Sequence, residues 1–224
     1  MTKRKPKPED LRKACVDEAL AIIGESGLEH LSLREVARRL HVSHQAPYKH
    51  FRSRDHILAE IVSRAYADFA DYLDRRPRSA DPDEDMANMG RAYLEYAHLH
   101  PLHYRLMFET PLPAPREHPE MMRRAEHAFS LLKGAIVRLP DRPDDAPVDL
   151  DALFVWSVMH GLAGILRGDA LGGLGIPAPL LESAVPFALE RIGLALGSLD
   201  EGTRKSVSEA VIQQSPPPDS TPDL

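Results

Sequence analysis

One cysteine, one tryptophan and 6% aromatic residues are what this 224-residue chain has least of, and each scarcity excludes something. A lone thiol, Cys15, closes no internal disulfide, so a disulfide-stapled scaffold is excluded; no basic start, apolar run and cleavage site precede it to suggest secretion. The longest apolar stretch, 152–166, is interrupted by Ser157 and His160 and falls short of the roughly 18 to 20 residues a membrane helix needs. A cytoplasmic chain with no membrane span is the expectation. Strictly alternating segments and two-residue glycine turns between β-branched runs are missing as well, which removes the strand-rich classes. No GxSxG, Walker, GxGxxG or HExxH sequence occurs, and Cys15 falls on the apolar face of a helix, so no catalytic set and no cofactor is expected. His98, His100 and His103 invite a metal reading, but Pro101 interrupts the helix between them and no cysteine lies nearby, so structural histidines are expected and no metal.

What is present is a chain with 43% hydrophobic and 28% charged residues, enough to bury a sizeable core. Its net charge of -6 is unevenly spread. Residues 1–64 hold 13 basic against 9 acidic residues, net +4, while 65–224 hold 15 against 25, net -10. A basic head on an acidic body suits a polyanion partner at one end only.

Nearly every long segment has helical period, so the fold class is all-α, with about nine helices. Leu11, Cys15, Ala19, Ile22 and Ile23 line one face of the first helix, which Gly27 stops. Ser32 and Glu35 read as a capping box opening a short helix with Leu33, Val36, Ala37 and Leu40 on one face. A second short helix runs to His50 and Phe51, and Ser53 caps a longer one over about 54–75. The rest follow at about 83–100, 102–108, 118–139, 148–171 and 180–199, punctuated by proline or glycine. Pro186 falls inside the last, which implies a kink or a later start. From Glu201 the periodicity fails, so 201–224 reads as a disordered tail.

Residues 33–51 form a helix-turn-helix pattern, two short helices in which the first braces the second for entry into a DNA major groove. The stretch LSLREVARRLHVSHQAPYKHFRSRDHIL, residues 31–58, within 10–73, resembles the DNA-binding domain of the tetracycline-repressor (TetR) family of bacterial transcriptional regulators. In two places it departs from that pattern. His41 stands where the family usually has glycine, and must accept whatever backbone angle the turn imposes. Pro47 lies in the first turn of the reading helix and disfavours helical geometry at Ala46, which implies a later start or a tight 3₁₀ turn. The first turns of that helix offer His44, Gln45, Ala46, Lys49 and His50 to base edges. Gln45 can pair bidentately with adenine and Lys49 can donate to guanine. The resemblance implies phosphate contacts from Tyr48, Ser32, the Leu33 amide and Arg54, with Arg34 alongside. His50 and Tyr48 could instead pack on the preceding helix. Lys3, Arg4, Lys5 and Lys7 make a basic arm that tracks the neighbouring groove or is a solvated terminus.

In the second half, Trp156, His160 and Gly161 resemble a C-terminal class of the same family marked by Trp, three residues, then His-Gly. Gly161 and Gly164 permit close approach of another helix. Tyr93, Tyr96, Tyr104, Met107, Phe108, Met121, Met122, Phe129, Phe154, Trp156, Met159 and His160 gather adaptable side chains that line a ligand pocket or simply form core. Phe69 and Leu73 should pack on the segment from Tyr104 to Phe108. The division expected is a flexible basic arm at 1–8, a helix-turn-helix domain at 9–58, a helical ligand-binding and dimerisation domain at 59–200, and the tail. As the resemblance implies, the whole would be a homodimeric repressor that binds a pseudo-palindromic double-stranded operator and is released by a small-molecule inducer. The alternative is a helical small-molecule-binding protein or enzyme whose helix-turn-helix is only structural.

Overall fold

In the computed structural model, residues 8–140, 142, 146–168 and 173–197 are described; the expected tail and all of the expected arm but Pro8 lie outside them. Among the described residues there are nine α-helices and three 3₁₀ turns: α1 (Pro8–Ser26), α2 (Leu33–Arg39), α3 (Arg54–Asp74), α4 (Pro82–Leu99), α5 (Pro101–Phe108), α6 (Pro119–Ile136), α7 (Val148–Arg167), α8 (Ala178–Glu182) and α9 (Ala184–Gly197). The chain divides into two compact units, residues 1–76 with 95–131, and residues 77–94 with 132–224.

In the first unit, the apolar face of α1 is buried as its spacing requires, with Cys15, Ala19 and Ile22 fully inaccessible. Gly27 ends the helix with φ 94°, a region glycine enters at little cost. Its amide closes on the Ile23 carbonyl at 3.0 Å. A 3₁₀ turn at Leu28–His30 leads to Ser32, which caps α2 by accepting the Glu35 amide at 3.1 Å. Only this half of the expected capping box forms. The Glu35 carboxylate turns instead to Arg38, at 2.8 and 2.6 Å, and to Arg39 at 3.2 Å, because two guanidiniums outcompete one neutral amide for an anion.

Behind α2 the backbone bends at His41, whose φ of 53° is the left-handed conformation its position demands. The second short helix does not form as an α-helix. Residues 44–46 are turn and Pro47–Lys49 is a 3₁₀ turn, with the Phe51 amide closing on the Pro47 carbonyl at 2.9 Å. Pro47 lacks an amide to continue an α-helical ladder and is itself buried. Phe51 fills the space between this turn and α1, and the Arg12 guanidinium lies 5.2 Å over its ring.

Helix α3 starts at Ser53, which accepts the His56 amide at 3.2 Å, and buries eleven side chains along its length. Ile57, Leu58, Ile61 and Val62 join the core of the head, and Tyr66, Phe69 and Leu73 continue it beyond. The expected packing of Phe69 on α5 is present, its ring 5.9 Å from that of Phe108, and the Tyr66 hydroxyl donates to the Met107 carbonyl at 3.0 Å. Tyr96 lies in the same cluster, 5.0 Å from the Phe69 ring. Burial pushes the Tyr66 phenol up to about 12, and the Tyr96 phenol upward too, so both stay neutral donors.

In the second unit, Asp85 of α4 is almost inaccessible and holds two cations, Arg78 at 3.0 Å and Arg138 at 2.5 Å. Helix α7 presents Ala152, Val155, Met159 and Ala163 to the interior. Its composition and 20-residue length would let it cross a membrane, contrary to the expectation from the 15-residue run; its face of four interior residues makes it a core helix. The final helix expected at 180–199 is two. The chain breaks at Ser183 between α8 and α9, which places Pro186 in the first turn of α9, where its missing amide costs no hydrogen bond.

His41→Gly should raise stability by about 0.5 to 1 kcal/mol, because glycine enters the left-handed region without the Cβ clash. Urea unfolding measures it, and a loss of stability would mean that the imidazole carries contacts worth more than the strain. A second expectation concerns pH. His103 approaches the Tyr96 hydroxyl at 3.4 Å and stacks on His100; burial lowers its pKa below the usual 6.5, Asp68 pulling upward and His100 adding to the fall. The unfolded chain therefore holds the proton where the fold does not, and stability declines as pH falls below about 6.5. Glu35, held at about 2, adds its own loss only below its usual 4.5. His103→Phe should flatten the decline between those two limits.

Candidate nucleic-acid interface

Turn geometry sets which head residues face outward. With Pro47 and Phe51 buried, the 3₁₀ turn leaves His44, Gln45, Tyr48 and Lys49 exposed, with Ala46 and His50 half-buried. Tyr48 keeps 50% of its surface accessible, unusual for an aromatic beside a core. An open groove of about 400 Å³ is lined by Arg34 of α2 and by His44, Gln45 and Tyr48, so four residues singled out from the sequence share one surface. Ser32 is exposed at the cap, and Leu33 is buried by its side chain. The His50 ring sits 6.4 Å from that of Phe51, consistent with its packing alternative.

Not all of the head's positive charge is available to a partner. Arg38 is tied to Glu35, while Arg39 reaches Glu25 at 2.7 Å, Glu35 at 3.2 Å and Glu18 at 3.4 Å, binding α1 to α2. The Arg38 hydrogen bond is the largest cause of the lowered Glu35 pKa, with Arg39 adding to it against burial. Arg34, Lys49 and Arg52 are exposed and, among the described residues, none pairs with a carboxylate. They are exposed cations of the head, of which Arg34 lines the groove.

Arg54, for which the resemblance implies a phosphate contact, has its guanidinium on two backbone carbonyls. Its Nη2 donates to the Leu28 carbonyl at 2.7 Å and its Nε to the Leu31 carbonyl at 3.2 Å. These are carbonyls of the α1–α2 connection, so the guanidinium fastens the start of α3 to the segment that leads into α2. Nothing in the sequence pattern separates this role from a phosphate contact, since both need a cation at a helix start.

The twelve pocket candidates fall in both units. Tyr96, Tyr104 and Met107 are buried in the α3–α5 cluster with Phe108 at its edge, and half-buried Met122 and Phe129 belong to the same unit. Tyr93, Trp156, Met159 and His160 belong to the other, where the Tyr93 hydroxyl lies 3.4 Å from His160 Nδ1 and the Trp156 ring is 6.3 Å from that imidazole. Gly161 and Gly164 are exposed, and a Cβ on either would meet nothing within 4 Å, so no described helix uses the room they leave. Of the twelve, Met159 alone lines the apolar cleft between α4, α7 and α9. The rest of that cleft was missed, although an isolated glycine inside a helical pattern, Gly90, was a signal for close packing.

Comparison with known proteins agrees with this geometry. Residues 16–61 match the model for bacterial regulatory proteins of the tetR family, and residues 86–187 match a tetracyclin repressor-like C-terminal domain. The regulator Rv1816 of Mycobacterium tuberculosis, described as an HTH-type transcriptional regulator, is 29% identical over 121 residues, 53% of this chain. The match spans 52% of the length of that curated relative. Among solved structures, a protein of unknown function from Rhodococcus sp. RHA1 superposes with a TM-score of 0.67 at 24% identity, over 84% of this chain and 96% of that one. The TetR family transcriptional regulator PfmR of Thermus thermophilus gives 0.57 at 21%, over 84% and 99%. At those identities the two structures attest the fold. With its head matched by one model and its later helices by the other, the chain belongs to the tetR family of bacterial regulatory proteins.

Proposed function

We propose that this protein is a cytoplasmic, homodimeric repressor that binds a pseudo-palindromic operator through its head and is released by a small-molecule inducer. The observation that carries the DNA-binding part is the shared groove of Arg34, His44, Gln45 and Tyr48, with Lys49 and Arg52 of the same segment exposed. A groove with an amide and a guanidinium at its walls can read base edges, while the aromatic hydroxyl meets the backbone. Within it Gln45 is the adenine reader, and Lys49 and His50 complete the base-facing set. Ser32 and the Leu33 amide hold a phosphate beside them. An enzyme, or a binding protein with a vestigial head, finds no support in the family assignment.

Dimerisation is supported by the apolar side chains that α7 and α9 leave in water: Leu153, Phe154 and Ile165 on the first, Phe187 and Leu194 on the second. Two such helices from each protomer make a four-helix interface, and the exposed Gly161 and Gly164 fit a close crossing with the symmetry mate. Two-fold symmetry then sets the recognition turns about 34 to 36 Å apart, one helical turn of DNA. Trp156, His160 and Gly161 fall inside the matched C-terminal region, which supports placing the chain in the Trp-xxx-His-Gly class.

The test is selection of the operator from random DNA, followed by two variants. Gln45→Ala should cost about 1 to 3 kcal/mol on the selected site and relax one base position; an unchanged sequence preference would remove Gln45 as a reader. Arg54→Gln separates bracing from phosphate contact. A neutral amide still donates to the Leu28 or Leu31 carbonyl, so the variant should weaken binding while leaving the dependence of log K on log salt unchanged. A slope shallower by about 0.9 would show that Arg54 had neutralised a phosphate directly.

A further inference from the structure

Helices α4, α7 and α9 of the second unit enclose a cleft of about 370 Å³, near the lower end of the range for small-molecule sites. Its walls are Met86 and Gly90 of α4, Val155 and Met159 of α7, and Leu189 and Ile192 of α9, with no polar side chain among them. Glycine at position 90 is what lets α9 approach, since a Cβ there would lie 2.4 Å from Leu189 Cδ2 and 3.4 Å from Met159 Cε. Two unbranched thioethers in so small a wall can move aside for a flexible guest. Any polar group carried inside would lose its water and find no partner, so the buried part of a guest must be hydrocarbon.

The mouth is different. Asp83, Arg91 and Glu190 stand there, all exposed. Arg91 donates to Asn88 at 2.7 Å, and neither Asp83 nor Glu190 has an ion-pair partner among the described residues. An adjoining hollow brings in Arg142, but that guanidinium is already paired with Asp151 at 2.9 Å. Two unpaired carboxylates against one guanidinium leave the mouth net negative.

We propose that the cleft between α4, α7 and α9 is the effector site of the regulator inferred above and that it takes a single-chain lipophilic cation, its alkyl tail between Met86, Gly90, Met159 and Leu189 and its protonated amine beside Asp83 and Glu190. Shape sets the tail length, and the carboxylates set the sign of the head. A fatty carboxylate of equal length fits the walls but brings a second negative charge to the mouth.

Decylammonium, 1-decanol and decanoate share one tail and differ only in head charge, so calorimetric titration of the full chain below their micelle concentrations separates the two parts of the site. The ammonium should bind tightest and decanoate weakest, about tenfold apart for a pair of partly screened charges. Lengthening the ammonium series from hexyl to decyl should tighten binding about fourfold per methylene until the cleft is full. The double variant D83N/E190Q alters only exposed groups; it should abolish the preference for ammonium while keeping decanol affinity. Met159→Trp should fill the cleft and weaken all three. Decanoate binding as tightly as decylammonium, or a double variant with the wild-type order, would overturn the assignment even if the tryptophan variant failed to fold. Repeating the titration with operator DNA separates the site from its role. Decylammonium that binds with the expected order but leaves operator affinity unchanged upholds the cleft and overturns its function as effector site.

Discussion

The rest of the first unit depends on one demand, that α3 bury two successive apolar stretches along a single rod. Its first turns hold Ile57, Leu58, Ile61 and Val62 in the core of the head; its later turns hold Tyr66, Phe69 and Leu73 against α5. A 21-residue helix is about 30 Å long and cannot bend to serve each end separately, so the position of one end fixes the other. The ends are pinned by polar contacts that tolerate little slippage. At the start, Ser53 caps the helix and Arg54 holds the Leu28 and Leu31 carbonyls; further on, the Tyr66 hydroxyl holds the Met107 carbonyl. The reading turn inherits its attitude from this rod, because Phe51, two residues before the cap, is buried in the same core.

Electrostatics divides the head's cations into two groups, and the division matters more than their number. Arg38 and Arg39 are consumed by Glu18, Glu25 and Glu35, an arrangement that ties α1 to α2 at the surface. Exposed pairs of this kind stabilise little individually, but a shared network loses less side-chain freedom per contact than separate pairs do. Arg34, Lys49 and Arg52 stay outside the network and remain exposed. A net charge of +4 over residues 1–64 counts both groups alike, although only the second is outside ion pairs.

Much of this was legible in the sequence where the signal is local. Gly27 stopped α1, Ser32 and Ser53 capped their helices, His41 took the left-handed turn, and Pro47 tightened the reading segment into a 3₁₀ turn. Each is a statement about one residue and its own backbone. What escaped was competition among partners. The Glu35 carboxylate had three candidates and chose the guanidiniums over the cap amide, and Arg54 had carbonyls within reach that periodicity does not place. The break at Ser183 shows the intermediate case: Pro186 announced a discontinuity, but its place three residues earlier follows from proline's tolerance of the first helical turn. Large side chains were the hardest to assign. A Met and aromatic stripe looks the same whether it lines a void or fills one, and Tyr96 and Tyr104 fill theirs completely enough to be nearly inaccessible.

The second unit has to reconcile two uses of the same helices. Helix α7 turns Val155 and Met159 inward to the cleft and Leu153, Phe154 and Ile165 outward to water, and α9 likewise divides Ile192 from Phe187. If the outward faces form the dimer, then the helices that wall the cleft are also the helices that set the relation of the two protomers. A guest that wedges Leu189 away from Gly90 would then shift α9 at the interface, without any contact to the reading turn. Packed helices respond to such a wedge by choosing between discrete arrangements rather than by yielding gradually. The free energy available for that choice is only the difference in the guest's affinity for the two arrangements, so a tight ligand with no preference would leave the operator bound.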